Sequence, residues 1–250
     1  MTTLPQALIS QAPHSQAPHS QALLRPAVLP RALDGQQVRL EPLDHRHGPS
    51  LAEAAAGSPE LYRWTRVPHD PADAAEYVQL AVAQREAGAA VPFAVVRAAD
   101  GVVIGSTRYW QPDWWPWPAG HRFHGRATPD TCEIGHTWLA RTAVRTGANT
   151  EMKLLMLGYA FETWAVHCVT FHTDARNERS REALGRIGAR FEGILRAHRM
   201  AADQTPRDSA RYSIVASEWP AVREHLTGLL AQRQVPDRQA AGRAPSGGSG

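Results

Sequence analysis

The sequence is poor in lysine, in cysteine and in long apolar segments. Lys153 is the only lysine among its 250 residues, and Cys132 and Cys168 are the only cysteines. No uninterrupted apolar run approaches the roughly 18 residues of a membrane span. The N-terminus also lacks the basic start and apolar core of a signal peptide, since its first arginine is Arg25. We therefore expect a cytoplasmic protein with no membrane partner.

The expected compartment also bears on the cysteines. Both lie in segments that we predict to be neighbouring strands, so their spacing alone does not exclude a disulfide. Cysteines of cytoplasmic proteins are usually reduced and often buried. We favour two buried thiols.

The chain is only mildly basic. Its formal net charge is +3 and its pI is about 9.2, with arginine supplying nearly all of the positive charge. We attribute the excess of arginine and alanine to coding bias. Proteins that bind nucleic acids through charge usually carry a concentrated basic patch, so the composition indicates no nucleic-acid partner.

Both ends of the chain have the composition of tails. The motif SQAPH occurs twice in residues 10–19, and a segment with so little apolar surface cannot form a packed core. Its two histidines, His14 and His19, are expected to stay solvated rather than bind a metal. The C-terminus ends in the linker-like sequence AGRAPSGGSG. We predict a disordered tail over residues 1–35, one globular domain over 36–230 and a second disordered tail over 231–250.

Within the domain, apolar periodicity predicts strands interleaved with helices. The first half reads as a strand (38–43), two helices (44–57 and 71–87) and a hairpin (92–97 and 102–109) around Asp100-Gly101. The second half reads as a strand (131–139), a helix (151–164, with Asn149 or Thr150 as its cap), a strand (166–173), a helix (177–187), two strands (190–195 and 209–215) and a terminal helix from about Ser217. This order predicts an α+β, or mixed α/β, domain around one central sheet.

Residues 132–151 form a strand, a short glycine-containing loop and the start of a helix. The N–H groups of the first helical turn have no partner within the helix, so this geometry binds anions such as phosphate. Arg141 and Arg145 add positive charge to the loop. Many joints of this kind contain one glycine and one arginine, so this segment alone does not establish ligand binding.

A second motif follows the next predicted strand. Asn177, Ser180 and Gly188 have the spacing N-x-x-[AS]…G found after the fifth strand of GNAT proteins, and Phe191-Glu192-Gly193 lies where these proteins often read F-x-x-E-G. With Glu133-Ile-Gly135 before the loop and Thr150-Glu151 after it, the chain resembles the RimJ/RimL type of ribosomal-protein N-terminal acetyltransferase. The resemblance covers about residues 38–226. It implies the GNAT fold, in which a mostly antiparallel twisted sheet has splayed fourth and fifth strands and helices on both faces.

The resemblance implies acetyl-CoA as co-substrate and no metal, and it places the CoA site. The residues implied to bind CoA are Trp138, Leu139 and Ala140 at a bulge that frees backbone N–H groups, Arg145, Thr146, Gly147, Ala148, Asn149 and Thr150 around the pyrophosphate, and Asn177 beside the pantetheine or as a helix cap. Two departures stand out. Arg145 replaces the first glycine of the loop motif, where it either crowds the pyrophosphate or binds it. Leu184 replaces the frequent helix tyrosine, which excludes a tyrosine acid there.

Acetyl transfer to an amine needs a base, an oxyanion donor and an acid. Family members carry an acidic residue at the position of Glu133, which makes it the candidate base, acting through water; the alternative is a carboxylate paired with an arginine. Ser180 is the candidate acid for the leaving thiolate, or else a serine bonded back to a helix carbonyl. His136 either contacts the substrate amine or is a core histidine, because it shares strand parity with Ile134 and Trp138.

The loop from Trp110 to Arg126 is long and rich in tryptophan and proline. Trp114, Trp115 and Trp117 either wall the acceptor site, cover a partner subunit or fold back over their own core.

We expect a monomeric or homodimeric enzyme that acetylates a primary amine, in the first place a protein N-terminus. The alternatives are a small-molecule amine such as an antibiotic, a non-catalytic acyl-CoA-binding module and an interaction protein.

Overall fold

The structure, a computed structural model, describes residues 29–201 and 203–234. The SQAPH tract with His14 and His19, and the segment beyond Gln234, lie outside the described residues.

Eight strands form one sheet in the order β1-β2-β3-β4-β5-β6-β8-β7. The strands are β1 (Leu33–Asp34), β2 (Val38–Pro42), β3 (Ala90–Arg97), β4 (Val103–Asp113), β5 (Thr131–Leu139), β6 (Cys168–Asp174), β7 (Arg190–Met200) and β8 (Pro206–Val215). All neighbours are antiparallel except β5 and β6, which are parallel. The predicted mostly antiparallel sheet is confirmed.

Helices cover both faces of this sheet, as predicted. They are α1 (Gly48–Ala55), α2 (Pro71–Glu86), α3 (Ala148–Gly158), α4 (Glu178–Arg186) and α5 (Trp219–Gln234). Alternate residues of β3 separate the two layers: Phe93 and Val95 pack with α3 and α5, whereas Ala94 and Val96 pack with α1 and α2. This is the period of two expected of a strand buried on both faces.

Several element boundaries differ from prediction. β1 lies inside the predicted N-terminal tail and pairs with β2, and β4 extends to Asp113, so Trp110 belongs to the strand rather than to the loop. α3 begins at Ala148 with Gly147 as its N-cap, so the prediction that Asn149 or Thr150 caps it is wrong. Both residues lie in the first turn, because the helix begins about one turn before the apolar residues from which its start was predicted.

β5 contains a bulge at His136 and Thr137. Ser106 of β4 pairs with Trp138, and Arg108 pairs with Gly135. Two residues of β5 therefore lie opposite one residue of β4. His136 adopts a left-handed backbone with φ of 50°. The predicted bulge at Trp138 to Ala140 is therefore wrong: these residues pair with β4, and the Ala140 N–H donates to Ile104 O at 2.7 Å.

Glu151 ties the start of α3 to the turn between β1 and β2. Its buried carboxylate accepts hydrogen bonds from the backbone N–H groups of Gln36 at 2.9 Å, Gln37 at 2.6 Å and Val38 at 2.7 Å. A carboxylate has enough lone pairs for all three donors. The contact holds the loop before α3 in place against β2.

We expect Glu151→Gln to lower the free energy of unfolding by about 2–3 kcal/mol. The amide offers one acceptor oxygen to three donors and turns its NH₂ toward an N–H. Urea unfolding would measure the change, with Glu178→Gln in the exposed first turn of α4 as the matched control. A Glu151→Gln variant as stable as that control would contradict the assignment.

Candidate active site

β5 and β6 separate soon after they meet. Only three pairs join them, Thr131↔Cys168, Cys132↔Val169 and Glu133↔Thr170, although β5 continues to Leu139 and β6 to Asp174. The edge of β5 that faces β6 beyond Glu133 therefore has no strand partner. These are the fourth and fifth strands of the predicted fold, in which β1 is additional, and their splay creates a cleft.

The predicted phosphate loop follows β5 at the open end of this cleft. Arg145, Thr146, Gly147, Ala148, Asn149 and Thr150 all lie at or just before the first turn of α3. The Arg145 side chain is exposed and makes no hydrogen bond to the described residues, and its backbone holds a left-handed φ of 62° that normally favours glycine. A pocket of about 280 Å³ lies beside this turn, lined by Gln37, Thr142 and Thr146 among others.

Arg141 is directed away from the loop that it was predicted to charge. Its guanidinium bonds Ser58 Oγ at 2.9 Å and pairs with Glu60, both in the segment between α1 and α2. Arg179 of α4 donates to Leu61 O in the same segment, at 2.6 Å. These contacts hold the segment to both sides of the cleft.

Asn177 and Ser180 stand at the start of α4, directly after β6. Asn177 is the N-cap of this helix, and its Oδ1 accepts from the Ser180 N–H at 3.1 Å. The Ser180 side chain is half-buried, and its hydroxyl makes no hydrogen bond to the described residues, so a bond back to a helix carbonyl is not formed. Its hydroxyl is thus available to a ligand.

A polar pocket of about 230 Å³ lies where β5 and β6 part. It is lined by Gln111, Glu133, Thr170, His172, His198 and Arg199 among others. Glu133 and Thr170 are the last pair joining β5 and β6, so this pocket occupies the closed end of the cleft.

Glu133 is the most buried charged group of this pocket, with 4% of its side chain exposed. Arg199 donates two hydrogen bonds to it, at 3.1 and 2.6 Å, and His172 Nδ1 lies 2.9 Å from its Oε2. Burial alone would raise the pKa of Glu133, but the bonds from His172 and Arg199 outweigh it and lower the pKa to about 2. Glu133 is therefore an ionised, paired carboxylate, the alternative that the sequence left open.

Sequence reasoning missed two histidines of the pocket. The His172 side chain is 7% exposed, and its ring centroid lies 4.8 Å from that of His198. The Nε2 of His172 and the Nδ1 of His198 are buried and make no hydrogen bond within the described residues. Strand parity could have found His172, since it shares a face of β6 with Thr170, the partner of Glu133. The β7 contribution depends on a bulge that no local pattern shows.

His136 is not a core histidine. The bulge turns its side chain to solvent, where its ring lies 5.1 Å from Trp110. Crowding by protein atoms around the ring, followed by the charge of Arg108, lowers the pKa of His136, so the imidazole is neutral at pH 7. The parity argument failed because the bulge switches faces: Ile134 packs with α3 and α5, whereas Trp138 packs with α1 and α2.

The end of β5 is used for packing. The Trp138 indole is buried, meets Tyr62 edge-on at 5.8 Å and donates from Nε1 to Tyr77 Oη at 3.2 Å. The carbonyl of Leu139 accepts from Tyr62 Oη at 3.2 Å. The Ala140 N–H is engaged by β4, and the N–H groups of successive strand residues point to opposite edges, so an oxyanion could use only those on the unpaired edge of β5.

The loop that contains Trp114, Trp115 and Trp117 folds back on its own domain around Asp130, which is fully buried. Asp130 accepts from the Trp115 N–H at 2.8 Å and the Trp117 Nε1 at 2.9 Å, and Arg126 pairs with it at 3.1 Å. Trp115 stacks on His167 at 5.1 Å, and Trp114 packs against the core formed with α3 and α5. None of these three tryptophans lines the pocket of Glu133, so the structure does not join them to the candidate acceptor site.

Lys153 is buried in α3 beneath the β5 bulge. Its Nζ donates to Thr137 Oγ1 at 2.9 Å, and that hydroxyl lies 2.8 Å from Thr107 Oγ1. Burial lowers the pKa of Lys153 to about 7. The only lysine of the chain thus supports the irregular part of the cleft wall.

Other expectations concern bound ions and cysteines. Among residues 29–201 and 203–234, no group of three or more His, Cys, Asp or Glu side chains is arranged to hold a metal ion. No helix in this part of the chain is long and apolar enough to cross a membrane. Cys132 is a buried free thiol, as expected, whereas Cys168 is a free thiol that is only half-buried.

The fold is similar to those of solved acetyltransferases. A GCN5-related N-acetyltransferase from Brucella melitensis is 28% identical, with 82% of this chain and 88% of that chain covered at a TM-score of 0.70. Mycobacterium smegmatis RimJ, in complex with CoA-disulfide, is 20% identical, with 78% and 90% covered at a TM-score of 0.63. The ribosomal-protein-S5-alanine acetyltransferase from Vibrio fischeri is 16% identical, with 75% and 98% covered at a TM-score of 0.58. The last two show a shared fold alone.

Sequence comparison points the same way. No curated protein sequence matches the chain. The family model of the Acetyltransferase (GNAT) domain matches residues 37–190, which is more than half of the chain. The chain therefore belongs to the GNAT acetyltransferase family.

Proposed function

We propose that this protein transfers the acetyl group of acetyl-CoA to a primary amine, and that the amine is the N-terminus of a protein. GNAT acetyltransferases use acetyl-CoA and an amine substrate. The observation that carries the proposal for this chain is the cleft between β5 and β6, which ends on a polar pocket containing Glu133, His172 and Arg199.

The proposed CoA site runs along the cleft to the start of α3. The pantetheine would lie against the unpaired edge of β5, with Asn177 on the other side, and the pyrophosphate would meet the first-turn N–H groups of α3. The free guanidinium of Arg145 suits a phosphate contact better than steric exclusion, because it is exposed beside that turn. Trp138 and Ala140 would then support the cleft wall, whereas the Leu139 N–H would face the unpaired edge of β5 and could donate to the oxyanion.

The reaction needs a base for the amine proton, an oxyanion donor and a proton donor for the thiolate. The neutral amine attacks the thioester carbonyl, the C–S bond breaks and its electron pair leaves on sulfur. Backbone N–H groups on the unpaired edge of β5 would stabilise the oxyanion. We assign Ser180 as the proton donor to the thiolate, because its hydroxyl is free and α4 begins directly after β6.

A protein N-terminus suits the acceptor pocket in polarity and size. About 230 Å³ accommodates a terminal amine with a small side chain, and the pocket wall is polar. RimJ and the S5-alanine acetyltransferase share the fold. A small-molecule amine remains the second acceptor class to test.

Turnover with a defined panel of amines tests the proposal. Acetyl-CoA would be combined with peptides that begin with Ala, Ser or Met, and with an aminoglycoside and spermidine, and thiol release would be followed together with product mass. We expect acetylated peptide and equimolar free CoA thiol. Acetylation of only the small amines would reassign the acceptor class, and tight CoA binding without any thiol release would favour a non-catalytic CoA-binding module.

Replacing Gly147 by valine tests the CoA site. A β-branched side chain at the N-cap of α3 blocks close approach of the pyrophosphate to the backbone, so we expect the dissociation constant for CoA to rise by about tenfold or more. Isothermal titration calorimetry would measure it. Gly228→Val in α5, where a Cβ meets nothing within 4 Å, is the matched control.

A neighbouring side chain requires a second variant. A Cβ on Gly147 would clash with the side-chain amide of Gln37, so Gly147→Val combined with Gln37→Ala separates that clash from a clash with CoA. An unchanged CoA affinity in Gly147→Val would refute the loop assignment, and recovery in the combined variant would assign the effect to Gln37.

A further inference from the structure

The pocket contains a buried histidine with one ring nitrogen unused. His172 lies on β6, two residues beyond the last pair with β5. Its Nδ1 contacts Glu133, whereas its Nε2 is buried and makes no hydrogen bond in the described part of the chain. The residue is part of the pocket wall. Buried polar atoms nearly always have a partner, because leaving them unpaired is costly. The unused nitrogen therefore indicates a ligand that supplies one.

Glu133 determines which nitrogen of His172 carries the proton. An ionised carboxylate can only accept hydrogen bonds, so His172 Nδ1 must donate to it. In a neutral imidazole the other nitrogen, Nε2, then holds a free lone pair. Such a lone pair accepts a hydrogen bond from an N–H group, and an amine provides that donor.

We propose that His172 is the base that accepts a proton from the acceptor amine, and that Glu133 is the positioning residue that orients it. The inference rests on the proposed acetyl transfer and deepens it, because it replaces Glu133 as the candidate base. A carboxylate that fixes the tautomer and orientation of a histidine is the arrangement used by hydrolytic triads. Glu133 itself is a poor base, because Arg199 occupies both of its oxygens.

The proton and electron balance closes without a further reactant. The amine nitrogen forms a bond to the thioester carbon, and one of its protons passes to His172 Nε2. The C–S bond breaks and its electron pair leaves with sulfur, which takes a proton from Ser180 or from water. His172 then returns its proton to solvent, and Ser180, where it is the donor, takes one back from solvent, so the net products are the acetylated amine and free CoA thiol.

A bulge in β7 delivers the remaining groups of the site. Leu195 pairs with Ser209 and Arg199 with Arg207, so three residues of β7 face one of β8. Ala197 adopts a φ of 46°, and its N–H is held by Asp208 Oδ1 at 2.8 Å. This turns His198 toward His172 and Arg199 toward Glu133.

The charges around His172 come from three strands. The charged groups of its pocket are Glu133 on β5, Arg199 on β7 and Arg211 on β8. Burial and the charge of Arg199 lower the pKa of His198, the remaining titratable neighbour. A base must be deprotonated to act, so a histidine base predicts a kcat/KM that rises with pH to a plateau.

His172→Gln distinguishes the two bases. The glutamine amide can still donate to Glu133 but accepts no proton, so we expect kcat to fall by about 100-fold or more and the rising limb of the pH profile to disappear. CoA affinity and the thermal midpoint should change little, and free imidazole should restore turnover to His172→Ala. His69→Gln, an exposed histidine before α2, is the control expected to keep wild-type turnover.

The outcomes separate this inference from the proposed function. A wild-type enzyme that releases no thiol with any amine of the panel contradicts the acetyl transfer and this inference together. A wild-type enzyme that is active while His172→Gln keeps turnover within about tenfold overturns the histidine base alone.

Nitrogen-15 NMR of histidine-labelled wild-type protein decides the point if the variants fail to fold. We expect the neutral ring of His172 to carry its proton on Nδ1, beside Glu133, and to leave Nε2 bare. A tautomer protonated on Nε2 would contradict the proposal.

Discussion

Glu133→Gln is expected to lower kcat by about 100-fold or more while leaving the dissociation constant for CoA within about twofold. The glutamine amide can donate to His172 Nδ1, which would force the proton onto Nε2 and remove its lone pair. The contacts that bind CoA should stay unchanged, because Glu133 lies in the acceptor pocket rather than at the start of α3. Steady-state kinetics and calorimetry on the same protein would measure both quantities.

The same substitution leaves Arg199 without its partner, which needs its own control. An unpaired, largely buried charge destabilises a fold more than removal of the whole pair, and Arg199 has only 24% of its side chain exposed. In Glu133→Gln combined with Arg199→Met, both charges are gone. Recovery of turnover in the double variant would mean that the stranded arginine caused the loss, whereas persistent loss supports the role of Glu133 beside His172. Glu76→Gln, exposed on α2, should behave as wild type.

Lys153 is expected to make the protein more stable as the pH rises from 7 to 10. Its pKa is about 7 in the folded chain and about 10.4 in an unfolded chain. Between these values the unfolded chain binds a proton that the folded chain does not, so the free energy of unfolding rises with pH. Over the full window the gain from this one group is about 4 kcal/mol.

Comparison with Lys153→Met isolates this gain from other titrations. Burial raises the pKa of the Cys132 thiol, so its contribution falls at alkaline pH and has the opposite sign. The difference in unfolding free energy between wild type and Lys153→Met cancels such shared contributions. We expect the variant to be more stable near pH 7, with its advantage shrinking by about 4 kcal/mol by pH 10. A difference that does not change with pH would contradict a buried, deprotonating lysine.

Where the sequence predicted correctly, the signal was local. The apolar alternation of β5, the proline at the start of α2 and Asn177 at the start of α4 each act within a few residues, and the structure has these elements close to their predicted bounds. The family resemblance, carried in part by the motif around Asn177 and Gly188, added the mostly antiparallel sheet and the splay of β5 from β6. β1 was missed because two residues carry no period.

The site was harder to predict because its geometry comes from irregular backbone and distant pairs. One bulge in β5 exposes His136 and reverses the face of Trp138, so strict alternation gave the wrong environment for both. A second bulge, in β7, brings Arg199 to Glu133 across 66 positions of sequence. No sequence pattern near Glu133 indicates that Arg199 is its partner. It is this pairing that turns a candidate base into a residue that orients His172.

The central claim is the transfer of an acetyl group to an amine, and product mass tests it most directly. Purified protein, acetyl-CoA and an alanine-initiated peptide would be incubated, and the peptide analysed by mass spectrometry with fragmentation. We expect one acetyl group on the α-amine of the peptide, with an equal amount of free CoA thiol. Unmodified peptide and unmodified small amines, in the presence of protein shown to bind CoA, would contradict it.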